Sequence, residues 1–149
     1  MKRTATVILF VSIIFLTSCR SERRSDDILR TFCREYPIDS VVYSSFAHAN
    51  DEGYIDEEMI FALYGVDEYP ACEFSLVLYG KVDTVREIGV FITESADDRI
   101  ELSELFARRI SFLSSFSDGE GFIRKYGGVL VYGFVEDASY AEALFDKII

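Results

Sequence analysis

The fold of this chain is decided by the stretch CEFSLVLY, residues 72–79. Every second side chain from Cys72 to Leu78 is apolar, and this period of two predicts a β-strand. Gly80 to Asp83 predict a turn, after which a second strand is marked by alternating apolar residues at positions 88–92. The two strands predict a β-hairpin.

Four helices and one further strand are predicted around this hairpin. Pro37 ends the first helix, because the residue before a proline disfavours the helical conformation. A nearly continuous apolar run from Gly128 to Val135 predicts a third, buried strand. The predicted helices are an N-terminal one that begins at Asp26, a short one from Asp56 to Tyr64, the longest one from Ser95 or Asp97 to about Phe116, and a C-terminal one from Ser139 to Ile149.

These elements predict an α+β fold for a single domain over residues 26–149. Because a strand, a helix and another strand follow one another, we expect a right-handed crossover that places the third strand beside the first strand of the hairpin. The prediction is a small, three-stranded, mainly antiparallel sheet of order 2-1-3. It packs against the long helix, with short helices at the N-terminal and C-terminal ends.

Residues 1–18 have the pattern of a secretory signal. Lys2 and Arg3 provide a charged start, and an apolar run follows from Val7 to Leu16. The run has about half of the ~20 apolar residues that a helix needs to cross a bilayer. We therefore expect export and not a transmembrane span.

The end of this segment, LTSC at residues 16–19, resembles the lipobox of bacterial lipoproteins. The resemblance implies cleavage before Cys19 and lipidation of its thiol. The protein would then be anchored at the extracytoplasmic face of the cell membrane, with residues 19–25 as a tether. An ordinary signal cleaved near Ser18, with an incidental cysteine behind it, is the alternative.

The chain is strongly acidic. Its formal charge is −11, and removal of residues 1–18 takes away Lys2 and Arg3 and no acid, which leaves −13. Too few cations remain to neutralise nucleic-acid phosphates, so nucleic acid is not expected as a partner. A local excess of arginine stands directly behind the lipobox, and it either contacts anionic headgroups or belongs to a solvated tether. These residues are Arg20, Arg23 and Arg24.

The acidic run NDEGYIDEEM, residues 50–59, resembles part of an EF-hand calcium loop. His48 and Met59 stand at the two positions where calcium needs its dominant carboxylate ligands. We therefore expect no metal here. The run also fits the start of a helix, with Asp56 as the N-cap and Gly65 as the residue that ends the helix.

Over residues 54–149, the chain contains the segments Tyr64-Gly65-Val66-Asp67 and Glu87-Ile88 and the order of elements described above. In these features it resembles an uncharacterised family of small lipoproteins from Gram-positive bacteria. The resemblance implies a helix, two strands, a long helix, a buried strand and an alanine-rich terminal helix. It implies no catalytic residue, because the family has no established activity.

Two cysteines, Cys33 and Cys72, both lie on apolar faces of predicted elements and are not part of that family pattern. In an oxidising compartment they could form a disulfide. The bridge would contribute about 3 to 4 kcal/mol through the restricted entropy of the unfolded chain. Free, buried thiols that pack as small apolar side chains are the alternative.

No catalytic motif stands out in the sequence. His48 is the one histidine, and the sequence contains no CxxC, GxSxG or phosphate-binding loop. We therefore expect neither a metal site nor a cofactor. The function that we favour is a non-enzymatic binding module of the cell envelope, held at the membrane by Cys19 and bound to an envelope protein or component. The alternative is a hydrolase of envelope material that uses an Asp/Glu pair.

Overall fold

The computed structural model describes residues 23–149, except for residues 69, 71, 82 and 83. These residues form helices on both sides of one β-sheet. In chain order the elements are α1 Ser25–Glu35, β1 Val42–Ser44, α2 Glu57–Tyr64, β2 Glu73–Tyr79, β3 Arg86–Ile92, α3 Ala96–Ser114, β4 Glu120–Tyr126, β5 Val129–Val135 and α4 Ala138–Ile148.

The strands form a sheet of order β1-β2-β3-β5-β4 in which each neighbouring pair is antiparallel. The β2–β3 hairpin predicted from the sequence is confirmed, with Leu76 opposite Gly89. The predicted three-stranded sheet of order 2-1-3 is wrong. The strand that was expected beside β2 is β5, and it pairs with β3 and runs antiparallel to it. The expected crossover between those strands is therefore not formed.

The physical reason for this difference is a second hairpin, β4–β5. Its turn consists of Gly127 and Gly128, and Gly127 has a φ of 63°, a value that glycine adopts without steric cost. The chain leaves α3, enters the sheet at its edge as β4 and turns back as β5. As a result β5 runs antiparallel to β3, whereas a crossover from β3 would make the two strands parallel.

Side chains from the sheet alternate between its two faces. Val77 and Val131 pack on one face with α1 and α4, whereas Leu76 and Tyr132 pack on the other face with α2 and α3. The central strands β3 and β5 are buried over nearly their whole length, which explains the continuous apolar sequence of β5. The expectation that one helix covers one face is wrong, because the terminal helices cover the other face.

Side-chain caps determine where α3 and α4 begin. The hydroxyl of Ser95 accepts a hydrogen bond from the backbone N–H of Asp98 at 3.1 Å, so the predicted start of α3 is confirmed. The cap of α4 is Asp137 and not Ser139, because the carboxylate of Asp137 accepts the backbone N–H of Tyr140 at 2.8 Å. Both caps satisfy an amide that lacks a partner within its helix.

Candidate functional site

The N-terminus of α1 is fixed to the sheet at Ser25. Ser25 is fully buried, its backbone N–H donates to the carboxylate of Glu73, and its hydroxyl lies 2.9 Å from that of Ser75. One residue earlier, Arg24 forms an ion pair with Asp26 at 3.1 Å. The chain is therefore held against β2 from Ser25 onward.

The candidate lipidation residue, Cys19, lies outside the described residues. Its distance from the folded domain is nevertheless limited by covalent geometry, because six residue steps separate it from Ser25. A fully extended chain covers at most ~3.6 Å per residue, so six residue steps span at most roughly 22 Å. A lipid on Cys19 would hold the N-terminus of α1 close to the membrane surface.

The side of α1 that is turned away from the core carries two arginines, Arg30 and Arg34, and a third, Arg23, lies two residues before the helix. The helical residues of this side recur every three or four positions and therefore lie opposite the buried side chains. They border a shallow surface groove of about 810 Å³. We call this side the basic face. It consists of Arg23, Asp27, Arg30, Thr31 and Arg34.

The arginines of the basic face are not neutralised within the described part of the chain. Arg23 donates to the backbone carbonyl of Ile148, and Arg34 donates to the hydroxyl of Thr31 at 3.1 Å. Neither of them, nor Arg30, forms an ion pair with an acidic side chain of the described residues. The face therefore presents free positive charge on a chain whose formal charge is −11.

Cys33 and Cys72, the two cysteines considered for a disulfide, are free in the structure. They pack in different layers, Cys33 with α1 and α4, and Cys72 with α2 and α3. Burial raises the pKa of Cys33 to about 11, although the charge of Arg30 acts in the opposite direction. Burial, followed by the nearby carboxylates, raises the pKa of Cys72 to about 12. Both thiols are therefore protonated near neutral pH and are poor nucleophiles.

The run at residues 50–59 contains a loop and a helix start. The carboxylate of Asp56 accepts the backbone N–H of Met59 at 2.8 Å, so the predicted N-cap is confirmed. Gly65 has the predicted left-handed conformation, with a φ of 67°. Gly53 lies against β1, and a Cβ there would be 2.3 Å from the carbonyl oxygen of Val42. Among the described residues, no group of three or more histidine, cysteine or acidic side chains is placed to hold a metal ion.

Replacement of Asp56 by alanine should lower the free energy of unfolding by about 0.5 to 2 kcal/mol, because the amide of Met59 loses its acceptor. Millimolar calcium should leave the melting temperature of the native protein nearly unchanged. Calorimetry with calcium and with chelator measures both effects. Glu58→Ala is the matched control, since Glu58 is exposed in the same turn and should cost less. A calcium-dependent rise of several degrees that Asp56→Ala abolishes would contradict the capping interpretation.

A buried polar cluster that the sequence analysis did not identify joins the two central strands to α2 and α3. Glu87 is fully buried, and Nε of Arg109 donates to both carboxylate oxygens of Glu87 at 3.1 Å. The hydroxyl of Tyr132 donates to the same carboxylate and lies 2.7 Å from the hydroxyl of Tyr64. Arg109 also donates to the backbone carbonyl of Leu63 at 2.8 Å. We call this group the Glu87 cluster.

The electrostatics of the Glu87 cluster fit a structural role. Burial, and then the charge of Glu87, raises the pKa of Tyr132 and that of Tyr64 well above the ordinary range. Burial alone would lower the pKa of Arg109, but the hydrogen bonds and charge of Glu87 raise it overall. The cluster thus pairs one buried carboxylate with one guanidinium. An acid/base pair of carboxylates is not formed there.

Two tyrosines, Tyr36 and Tyr79, meet at a single exposed carboxylate. Their hydroxyls lie 3.5 and 3.3 Å from Oε2 of Glu136. The other oxygen of Glu136 lies 3.2 Å from Nε of Arg86, which is nearly buried. Burial, and then the charge of Glu136, raises the pKa of both tyrosines. This cluster joins the end of α1 to the ends of β2 and β5.

Comparison of the chain with protein-family models, with curated proteins and with solved structures found no match. The resemblance to small Gram-positive lipoproteins therefore stays a prediction from the sequence. Within residues 23–149 as described, no helix has the length and apolar character needed to cross a membrane.

Proposed function

We propose that this chain is a lipid-anchored protein of the extracytoplasmic membrane face, whose folded domain is a non-enzymatic binding module of the cell envelope. The observation that carries the proposal is the attachment of α1 at Ser25, six residues behind Cys19. A lipid at that position would hold the domain directly at the membrane. In this position the module would meet membrane lipids and membrane-proximal envelope components.

Two grooves among the described residues support a binding module over a hydrolase. The larger groove carries one carboxylate, Asp27, among arginines. The smaller one, of about 250 Å³, carries Asp56 and Glu57, but the carboxylate of Asp56 already accepts the amide of Met59. A two-carboxylate mechanism needs a free acid and a free base that face a common substrate.

Exposed aromatic side chains add to this support. Phe112 and Phe116 at the end of α3 are 57% and 49% exposed, and their rings pack edge to face with centroids 5.1 Å apart. Large apolar side chains that are exposed together are typical of surfaces that contact other molecules. Chemical crosslinking of the anchored protein in intact cells, followed by purification, would identify the envelope partner.

Cys19→Ala should abolish incorporation of a labelled fatty acid and release the protein from the membrane fraction, because the substitution removes the sulfur that would carry the lipid. Sedimentation of membranes and autoradiography of the purified protein measure the two effects. Cys33→Ala removes the same chemical group from a folded position and should change neither result. Unchanged labelling and membrane retention of Cys19→Ala would refute the anchor.

A further inference from the structure

We propose that the basic face of α1 lies against the anionic phospholipid headgroups of the membrane that holds the anchor. This inference rests on the proposed lipidation of Cys19, and it adds a binding surface, a ligand and an orientation of the domain. The ligand is the phosphate group of anionic lipids. Guanidinium groups are suited to it, because they donate paired hydrogen bonds to phosphate and keep their charge.

The geometry places the arginines where a membrane surface can reach them together. Arg30 and Arg34 lie one turn apart on one side of α1, and Arg23, two residues before the helix, borders the same groove. This row of three arginines begins four residues after Cys19. Because a short tether keeps the start of the row near the bilayer, only a rotation of the domain is needed to lay the whole row on the headgroups.

Four arginines outside the basic face are already paired with carboxylates. Arg24, Arg86, Arg109 and Arg124 each form an ion pair with a carboxylate of the described residues. Arg24 also stacks on the ring of Phe46, with its guanidinium carbon 3.6 Å from the centroid. Although Arg24 is close to the lipobox, its charge is therefore already paired with that of Asp26. The free charge near the anchor lies on the basic face.

The acidic remainder of the surface favours the same orientation. The first turns of α2 and α3 carry Glu57, Glu58, Asp97 and Asp98, and these helices cover the face of the sheet opposite α1. An anionic membrane repels such carboxylates and attracts the arginines. Asp27 is the one carboxylate of the basic face, so the face keeps a net positive charge.

The test uses the complete lipidated protein in vesicles and a single introduced tryptophan, since the native chain has none. Thr31→Trp places the fluorophore on the basic face, and Ile100→Trp places it at an exposed position of α3. The vesicles contain phosphatidylcholine with or without phosphatidylglycerol, and a nitroxide headgroup as quencher. In phosphatidylglycerol vesicles we expect strong quenching of Thr31→Trp and weak quenching of Ile100→Trp.

Substitution of the arginines provides the second arm. Arg30→Gln combined with Arg34→Gln should shift the equilibrium about 30-fold away from the docked orientation, because two cations near the anionic surface are lost. Quenching of Thr31→Trp should then fall to its level in phosphatidylcholine. Arg108→Gln combined with Lys125→Gln changes the net charge equally at exposed positions elsewhere and should leave the quenching intact.

The outcomes separate this inference from the proposed function. If the protein stays bound to vesicles but both fluorophores are quenched equally, or quenching is independent of phosphatidylglycerol, the docked orientation is refuted while the anchor stands. Quenching that survives the loss of Arg30 and Arg34 also refutes it. A protein that carries no lipid at Cys19 overturns both proposals.

Discussion

Arg109→Met should lower the free energy of unfolding by about 3 to 5 kcal/mol, because the fully buried carboxylate of Glu87 would lose its counterion and its hydrogen-bond donor. The substitution also removes the donor to the backbone carbonyl of Leu63. The aliphatic part of the side chain is roughly preserved, so lost packing contributes little. Urea denaturation followed by circular dichroism measures the effect.

Two controls separate the loss of a buried partner from a general loss of structure. The double variant Glu87→Gln with Arg109→Met should be more stable than Arg109→Met alone, because no buried carboxylate is left without its partner and the Gln oxygen can still accept the hydroxyl of Tyr132. Arg124→Met breaks an ion pair with Asp146 whose side chains are 42% and 47% exposed, and should cost far less than Arg109→Met. Equal costs for Arg109→Met and Arg124→Met would contradict this account.

The Glu87 cluster could in part have been predicted from the sequence. Glu87 interrupts an apolar strand, and Arg109 stands on the apolar stripe of α3. A charged residue on each of two buried faces indicates an internal ion pair, because an unpaired buried charge is too costly. The pairing itself needs the position of α3 on the sheet. The hydrogen bond between Tyr64 and Tyr132 spans 68 residues and has no local signal.

The elements predicted correctly are those with strong local patterns. The caps at Ser95 and Asp56 and the alternation in β2 are decided by neighbours in sequence. By contrast, β1 has three residues and depends on its pairing with β2, so the local sequence does not predict it. Propensity is a weak guide where such tertiary contacts decide the structure.

The strand β4 was missed because its sequence, EGFIRKY, is polar and contains a glycine. It is an edge strand, and one side chain, Phe122, is buried in the core under α4. Gly121 is needed because a Cβ there would lie 2.1 Å from Cγ2 of Ile110 on α3. Without β4 the hairpin with β5 was not apparent, and the order of the whole sheet was mispredicted.

The basic face depends on how α1 is held against α4. Phe32 is fully buried and its ring stacks on that of Phe145, with centroids 4.2 Å apart and an angle of 10° between the planes. Tyr36 stacks on the other side of Phe32, with centroids 5.2 Å apart. The orientation of the arginines on the opposite side of α1 is therefore fixed by this aromatic packing.

Phe32→Ala should lower the free energy of unfolding by about 3 to 5 kcal/mol, because it removes a buried ring and leaves a cavity between α1, α4 and the sheet. Phe112→Ala makes the same chemical change at a side chain that is 57% exposed, and should cost less than about 1 kcal/mol. Urea denaturation of both variants measures the difference. A cost for Phe32→Ala no greater than that for Phe112→Ala would mean that α1 is only loosely attached. The arginines on α1 would then have no fixed orientation relative to the sheet.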